Sequence, residues 1–353
     1  MKKRLKVRYK EKVSSGLYDE ESRLQELSLA KDPLEALSGR IDWEMFRPLL
    51  EEGLLKEGKG VGGARPYDYV MMLKILILQR YNNISDERME FAIMDRLSFM
   101  RFLDLKLSDK APDAKTIWLF RERLLKAGVI GGLFDLFGEE LGRAGLVASE
   151  GTILDASFVE APKQRNRRGE NEAIKQGVTP SEWSESKRAQ KDVDARWALK
   201  DGKSHYGYKN HIKVDAKSKL IETFAVTSAN VFESQVVGDL IREKDAGLPI
   251  YGDSAYGGKP TARLLKERGI VNRTQEKGFR LKPLTEEQKQ NNRIKSRTRA
   301  RVEHIFGFIA NSMGGSRLKY IGKQRNAAAV GLMNLTYNMF RAMQIGYGKT
   351  ALN

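Results

Sequence analysis

Cysteine is absent from all 353 residues, and histidine occurs only three times. The first absence excludes disulfides and thiolate metal sites, and the second leaves too little imidazole for a histidine-built one. Any metal held by this chain must therefore be met by oxygen. Long apolar runs are lacking too. The most apolar stretch, Tyr69 to Leu78, is broken by Lys74 and is far too short to span a bilayer. With no legible leader, the expectation is a cytoplasmic protein without membrane contact. Negative charge is in deficit: 63 Lys and Arg against 46 Asp and Glu give a net charge of +17 and a pI near 9.7. Nucleic acid is the commonest polyanionic partner of such a protein, which places it at the nucleoid. A ribosome-associated or merely basic protein would show the same charge.

The scarce acids include one in unusual surroundings. Thr152-Ile153-Leu154-Asp155-Ala156-Ser157-Phe158-Val159-Glu160 reads as a short buried strand with a carboxylate where an alkyl group is the default. Burying that carboxylate is costly unless something positive meets it. Asp253 follows Leu248-Pro249-Ile250-Tyr251-Gly252, and Glu303 lies in Arg299-Ala300-Arg301-Val302-Glu303-His304-Ile305-Phe306. Each has an ordinary explanation: a strand-end pair for Asp155, a turn or helix cap for Asp253, surface pairs with neighbouring arginines for Glu303. Together they suit divalent metal. Cleaving a phosphodiester requires its charge neutralised and a water or 3′-hydroxyl deprotonated, and two ions roughly 4 Å apart do both. Magnesium favours carboxylate oxygens, so two or three acids from separate elements suffice.

Around these acids the chain divides by pattern. Residues 1–32 begin with the Lys- and Arg-crowded Met1 to Lys12 and are expected to be a flexible basic arm. From 33 to 146 apolar residues recur three and four apart over Trp43–Leu54, Tyr67–Tyr81, Asp86–Leu97, Ala114–Ala127 and Gly131–Ala144, a helical domain. Ser85 and Asp113 are expected N-caps. Such helices permit a helix-turn-helix that enters DNA, and equally an ordinary bundle. From 147 to 345 strand-like runs appear at Thr152–Val159, Tyr206–Val214, Leu220–Thr227, Pro249–Tyr251 and weakly Gly269–Asn272, with a hairpin connection at Asp215–Lys219. Val231–Glu243 has helical spacing, with Asn230 or Ser228 as its cap, and Ala327–Met343 reads as an amphipathic helix. The polar residues 163–203, with Trp183 and Trp197, are expected to be a surface insert, partly disordered without a partner. This order fits an α/β fold with a mixed, RNase H-like sheet.

Several pieces recur in a recognisable order: Pro112-Asp113-Ala114-Lys115-Thr116-Ile117 with Phe120-Arg121; Ile153-Leu154-Asp155-Ala156-Ser157; His205-Tyr206-Gly207-Tyr208-Lys209; Thr227-Ser228-Ala229-Asn230-Val231; Gly252-Asp253-Ser254-Ala255-Tyr256; and Arg301-Val302-Glu303-His304-Ile305-Phe306-Gly307. In these the chain resembles the DDE transposases of bacterial insertion sequences, of the insertion-sequence-five type, from about Leu34 to Arg341. The resemblance implies an RNase H-like mixed-sheet catalytic domain preceded by an all-α DNA-binding domain that recognises terminal inverted repeats. It implies Asp155, Asp253 and Glu303 as catalytic, metal-holding acids with two Mg²⁺, or Mn²⁺, per site. It also implies cleavage that frees 3′-hydroxyls at transposon ends, joining to target DNA, and a homodimer on double-stranded DNA. Arg299 matches the arginine of a signature common around the last acid, while Ser296 and Ala310 replace its tyrosine and lysine. Arg317, Lys319 or Lys323 are the candidates to substitute. Expected DNA contacts are Arg299, Arg301, Arg317 and Lys319, with His205 and Lys209 on one strand face, and Lys115 and Arg121 in the helical domain. Two alternatives stay open: an RNase H-fold nuclease without strand transfer, and a non-catalytic DNA-binding descendant of a transposase.

Overall fold

The computed structural model describes residues 16, 18–54, 65–279 and 281–348. The expected basic run Met1 to Lys12 and the glycines at 58, 60, 62 and 63 lie outside them. The described residues open with eight α-helices: α1 (Asp19–Leu29), α2 (Pro33–Arg40), α3 (Arg47–Leu54), α4 (Tyr69–Asn82), α5 (Asp86–Asp95), α6 (Leu97–Phe102), α7 (Ala114–Ala127) and α8 (Val129–Arg143). Four of them, α2, α4, α5 and α7, start on short polar side chains that satisfy first-turn N–H groups. Asp32 accepts from Leu34, Asp68 from Met71, Ser85 from Arg88, and Asp113 from Thr116. Helices α4 and α7 end on left-handed residues, Asn83 (φ 49°) and Gly128 (φ 68°). The arm expected over 1–32 is corrected in its second half. Arg101 on α6 donates to the Leu24 carbonyl and the Ser28 hydroxyl and pairs with Asp32 at 2.7 Å, which holds α1 against the bundle.

The sheet follows: β1 (Thr152–Glu160), α9 (Arg168–Lys175), α10 (Glu185–Ala189), β2 (Arg196–Lys200), β3 (Lys203–Asp215), β4 (Ile221–Ser228), α11 (Val237–Leu240), β5 (Pro249–Gly252), α12 (Lys259–Glu267), β6 (Val271–Thr274), α13 (Glu286–Arg299), α14 (Glu303–Ser312) and α15 (Lys323–Gln344). Strand β3 is antiparallel to β1 and β4, while β5 is parallel to β1 and to β6. The order β4-β3-β1-β5-β6, a meander followed by parallel crossovers, is the RNase H-like arrangement. The hairpin over Asp215–Lys219 is closed by Asp215, whose Oδ1 accepts from the backbones of Lys217 and Ser218. Alternation along β1 sends Ile153 to one core with Ile212 and Val214, and Leu154 to the other with Val236, Val237, Leu240, Ile250 and Leu265.

Helix α15 is buried around its whole circumference, where an amphipathic helix was expected. It packs on β4 and on α2, α4 and α8, so helices and sheet share one apolar cluster. Tyr81 of α4 stacks on Phe340 of α15 (centroids 4.0 Å), and Phe134 of α8 meets Phe224 of β4 edge-on at 4.9 Å. The change of pattern near residue 147 is therefore a change of secondary structure within continuous packing.

Two further expectations are corrected. Residues 163–203 are largely built into the fold. Trp183 is buried with its Nε1 donating to Glu170, β2 pairs with β3, and buried Asp192 accepts from the Tyr208 hydroxyl and from backbone N–H groups of Ala195 and Gly322. Over Val231–Glu243 only α11 and 3₁₀ turns at Glu233–Gln235 and Glu243–Asp245 form. Gly238 weakens helix there. Glu233 and Asp245 are each drawn to a buried lysine of β3, Lys209 and Lys213, at 2.8 and 2.7 Å, which a continuous helix would have to release. Among the described residues no helix is long and apolar enough to cross a membrane.

Candidate active site

Parallel pairing of β1 with β5 places Leu154 opposite Gly252, so the next residues stand side by side, Asp155 within β1 and Asp253 just past the end of β5. Neighbouring parallel strands lie about 5 Å apart, which brings the two carboxyl groups together on the face shared by Ile153 and Tyr251. Asp155 is buried. Its Oδ1 accepts the Ala156 N–H at 2.8 Å and its Oδ2 accepts from Arg299 Nη1 at 3.2 Å. Burial pushes its pKa above the usual carboxylate value. The Ala156 N–H and Arg299 oppose that rise, Asp253 adds repulsion, and Lys200 lowers it slightly. Asp253 caps the 3₁₀ turn Ser254–Tyr256 by accepting the Ala255 N–H at 2.8 Å. It is thus both the ordinary cap and the neighbour of Asp155.

Tyr256 comes from that turn and is fully buried with no partner for its hydroxyl. Burial first, then the charges of Asp155, Glu233 and Asp253, push its phenol well above the ordinary range, so it stays protonated. The cationic neighbour is set by α13, which starts in a capping box at Thr285 and delivers Arg299 from its last turn. Lys200 belongs to the β2–β3 hairpin, whose return is bent at Gly207. That residue has φ +143°, and a Cβ there would stand 2.3 Å from the Val159 carbonyl. Only glycine lets β3 pass so close to β1 at this bend.

Glu303 opens α14, exposed, four residues beyond Arg299, with the 3₁₀ turn Ala300–Val302 between them. The linking residues keep right-handed helical dihedrals, so Glu303 stands about one turn from the arginine that touches Asp155. Among the described residues no three His, Cys, Asp or Glu side chains are grouped closely enough to hold one ion. Asp155 and Asp253 are together, then, and Glu303 is not gathered with them. The donor set still fits a hard divalent cation: two carboxylates of separate strands, a third acid a turn away, and no competing soft ligand.

The expected DNA contacts separate into two groups. Lys209 is buried, donates to the Val231 carbonyl and Glu233 at 2.9 and 2.8 Å, and faces the side of the sheet opposite Asp155, because it pairs with Phe158 while Asp155 pairs with Ile212. His205 stacks flat on Phe158 at 4.0 Å. Arg121 is buried in a bidentate pair with Asp86, both bonds 2.8 Å. Lys209 and Arg121 thus have their charged groups engaged inside the fold, while His205 has one ring face covered and its Nδ1 without a hydrogen-bond partner among the described residues. Arg299 pairs with Asp155, and Arg301 donates to the Ala216 carbonyl at 2.8 Å. Lys115, Arg317 and Lys319 are exposed. The Lys- and Arg-rich run from Arg273 to Arg301, legible in the sequence as an approach to the acids that would hold phosphates, includes Arg273, which pairs with Tyr251 in register and so lies exposed on the face of the acids, and exposed Arg293 and Arg297 along α13. Sequence reading missed Lys200, whose approach depends on the bend at Gly207. Tyr256 was visible only as the last residue of the Gly252–Tyr256 motif.

Two family models match. The one described as "Transposase DDE domain" covers residues 148–339, and one described as "Transposase domain" covers 22–123. Among solved structures the chain resembles the piggyBac transposase in a synaptic complex with hairpin DNA. The identity is 14%, with 89% of this chain and 75% of that one covered, at a TM-score of 0.45.

Proposed function

We propose, from the premise that the chain belongs to the transposase DDE domain family, that it cleaves transposon ends to free 3′-hydroxyls and joins those ends to target DNA. The observation that supports this reading best is the β1–β5 register, which sets Asp155 of β1 beside Asp253 just past the end of β5. Asp155 and Asp253 hold divalent metal, Mg²⁺ or Mn²⁺, and Glu303 completes the set from the start of α14. When bound, two such ions supply the neutralisation of phosphodiester charge and the deprotonated oxygen that the reaction needs. Arg299 shares the charge of Asp155 while the acids are alone and turns to phosphate when DNA is present. Arg273, exposed on the face of the acids, and Arg293 and Arg297, exposed on the helix that carries Arg299, take neighbouring phosphates. Terminal inverted repeats are recognised by the helical region, and two ends are held by a homodimer on DNA.

Asp253→Asn tests the assignment. It preserves the cap to Ala255, because an amide oxygen also accepts that N–H. End binding should persist while metal-dependent nicking disappears; normal nicking by the purified variant would sink the site. Because Glu303 stands apart from the acid pair, a second reading, a DNA-binding descendant without catalysis, predicts that Mg²⁺ leaves DNA uncut even with the native chain. Incubation with pre-cleaved ends and a target plasmid separates a transposase from a nuclease that cuts without joining.

A further inference from the structure

Away from the acids, a cleft of about 370 Å³ opens between the α4–α5 corner, α7 and the segment joining α14 to α15. Its walls are tied across the molecule. Left-handed Asn83 donates to the Gly314 carbonyl at 2.9 Å. On its floor lie two guanidinium groups and one carboxylate. Arg121 takes both oxygens of Asp86, and Gln79 is bonded to both of them. Arg80, next to Gln79, is only 8% exposed and lines the cleft with no hydrogen bond or ion pair among the described residues. Burial and the charge of Arg121 both disfavour its cationic form, with Tyr320 and Asp86 offering partial relief. Exposed Arg317 and Lys319 stand at the rim, opposed by exposed Glu87.

A buried guanidinium with no partner is expensive, and proteins keep such groups where an anion arrives. The wall offers no free ring for a nucleobase: Tyr320, the one aromatic lining residue, is already covered by Arg121 at 5.2 Å. Planar forked donors favour phosphate oxygens. We propose that this cleft binds one backbone phosphate of duplex DNA, with Arg80 as the buried donor and Arg317 and Lys319 closing on it from the rim. The proposal rests on the transposase reading for the source of the phosphate. Its place at the seam fixes DNA against the helices and the catalytic sheet at once, through a contact separate from the acid pair.

The test follows thermal unfolding of the full chain in inorganic phosphate against sodium chloride of equal ionic strength, then duplex binding over a salt series. The proteins are wild type, Arg80→Met and the double variant Arg317→Gln/Lys319→Gln. Phosphate should raise the wild-type midpoint and leave that of Arg80→Met unmoved. The slope of log affinity against log salt should fall in magnitude by about 0.9 in Arg80→Met, the loss of one neutralised phosphate. A phosphate-induced rise that survives in Arg80→Met, or is missing from wild type, overturns the site. A normal phosphate response with an unchanged duplex slope overturns DNA as the source. Wild type that binds no duplex at any salt refutes the transposase reading instead, while the phosphate arm still reports on the cleft. Should Arg80→Met fail to fold, the double variant decides by the same two readouts, because both of its side chains are exposed.

Discussion

Lys213 lies near the C-terminal end of β3, paired in register with Leu154 and fully excluded from solvent. Its ammonium meets both oxygens of Asp245 at 2.7 Å and stands 3.8 Å from Glu222. Lys213→Met keeps a straight stem in the strand and removes the charge. Glu222 retains Lys244 at 2.7 Å, but Asp245, 1% exposed, keeps only the Arg242 N–H on one oxygen. An uncompensated carboxylate in that position costs about 3–5 kcal/mol. Urea unfolding of the purified protein measures the loss, and Lys213→Met/Asp245→Asn should recover most of it by neutralising the stranded partner. Cleavage per folded molecule should be unchanged, because Lys213 touches neither Asp155 nor Asp253. A single variant that loses less than about 1 kcal/mol, or a double variant as unstable as the single one, would show that the pair is not what holds β3 to the 3₁₀ turn beneath it.

Burial first, then the charge of Lys209, lowers the pKa of His211 from 6.5 to about 4. The unfolded chain therefore binds the proton more readily, and stability should fall as pH drops from about 6.5 towards 4, by up to on the order of 3 kcal/mol; His211→Gln should flatten that part of a pH series, and an unaltered profile would refute the cause. Gly207→Ala places a methyl 2.3 Å from the Val159 carbonyl at φ +143°; it should cost several kcal/mol and weaken catalysis together with stability, since the hairpin bearing Lys200 must shift. Leu335→Ala in α15, fully buried, should cost about 2–5 kcal/mol. If the shared core is right, fluorescence of Trp43 on the helical side and circular dichroism of the whole chain will move through one transition; two separate midpoints would contradict it.

Much of this was legible because it is local. The helix starts at Ser85 and Asp113 and the strand bearing Asp155 follow from short-range chemistry, and alternation in β3 put His205 and Lys209 on one face. That Lys209 faces away from Asp155 depends on the β1–β3 register, which pairs Phe158 with Lys209 across 50 intervening positions in the chain. The insert looked too polar to fold because its anchors are few: Trp183 and Asp192 find partners on other elements. Arg121 and Arg80 are neighbours of one carboxylate in space, yet nothing in their own surroundings along the sequence says which is neutralised and which is left over. The break expected at residue 147 was a break in periodicity, and periodicity does not report that a single later helix fills the interior of both parts.

That later helix has a consequence for how the protein is made. Residues 323–344 supply the inner wall for elements translated roughly one hundred (β4) to two hundred and fifty (α4) codons earlier, so on the ribosome α4, α8 and β4 emerge with their apolar faces bare and must wait for it. The interior is therefore closed by contacts of long sequence separation, and the elements made first keep apolar surface exposed to aggregation until residues 323–344 are available.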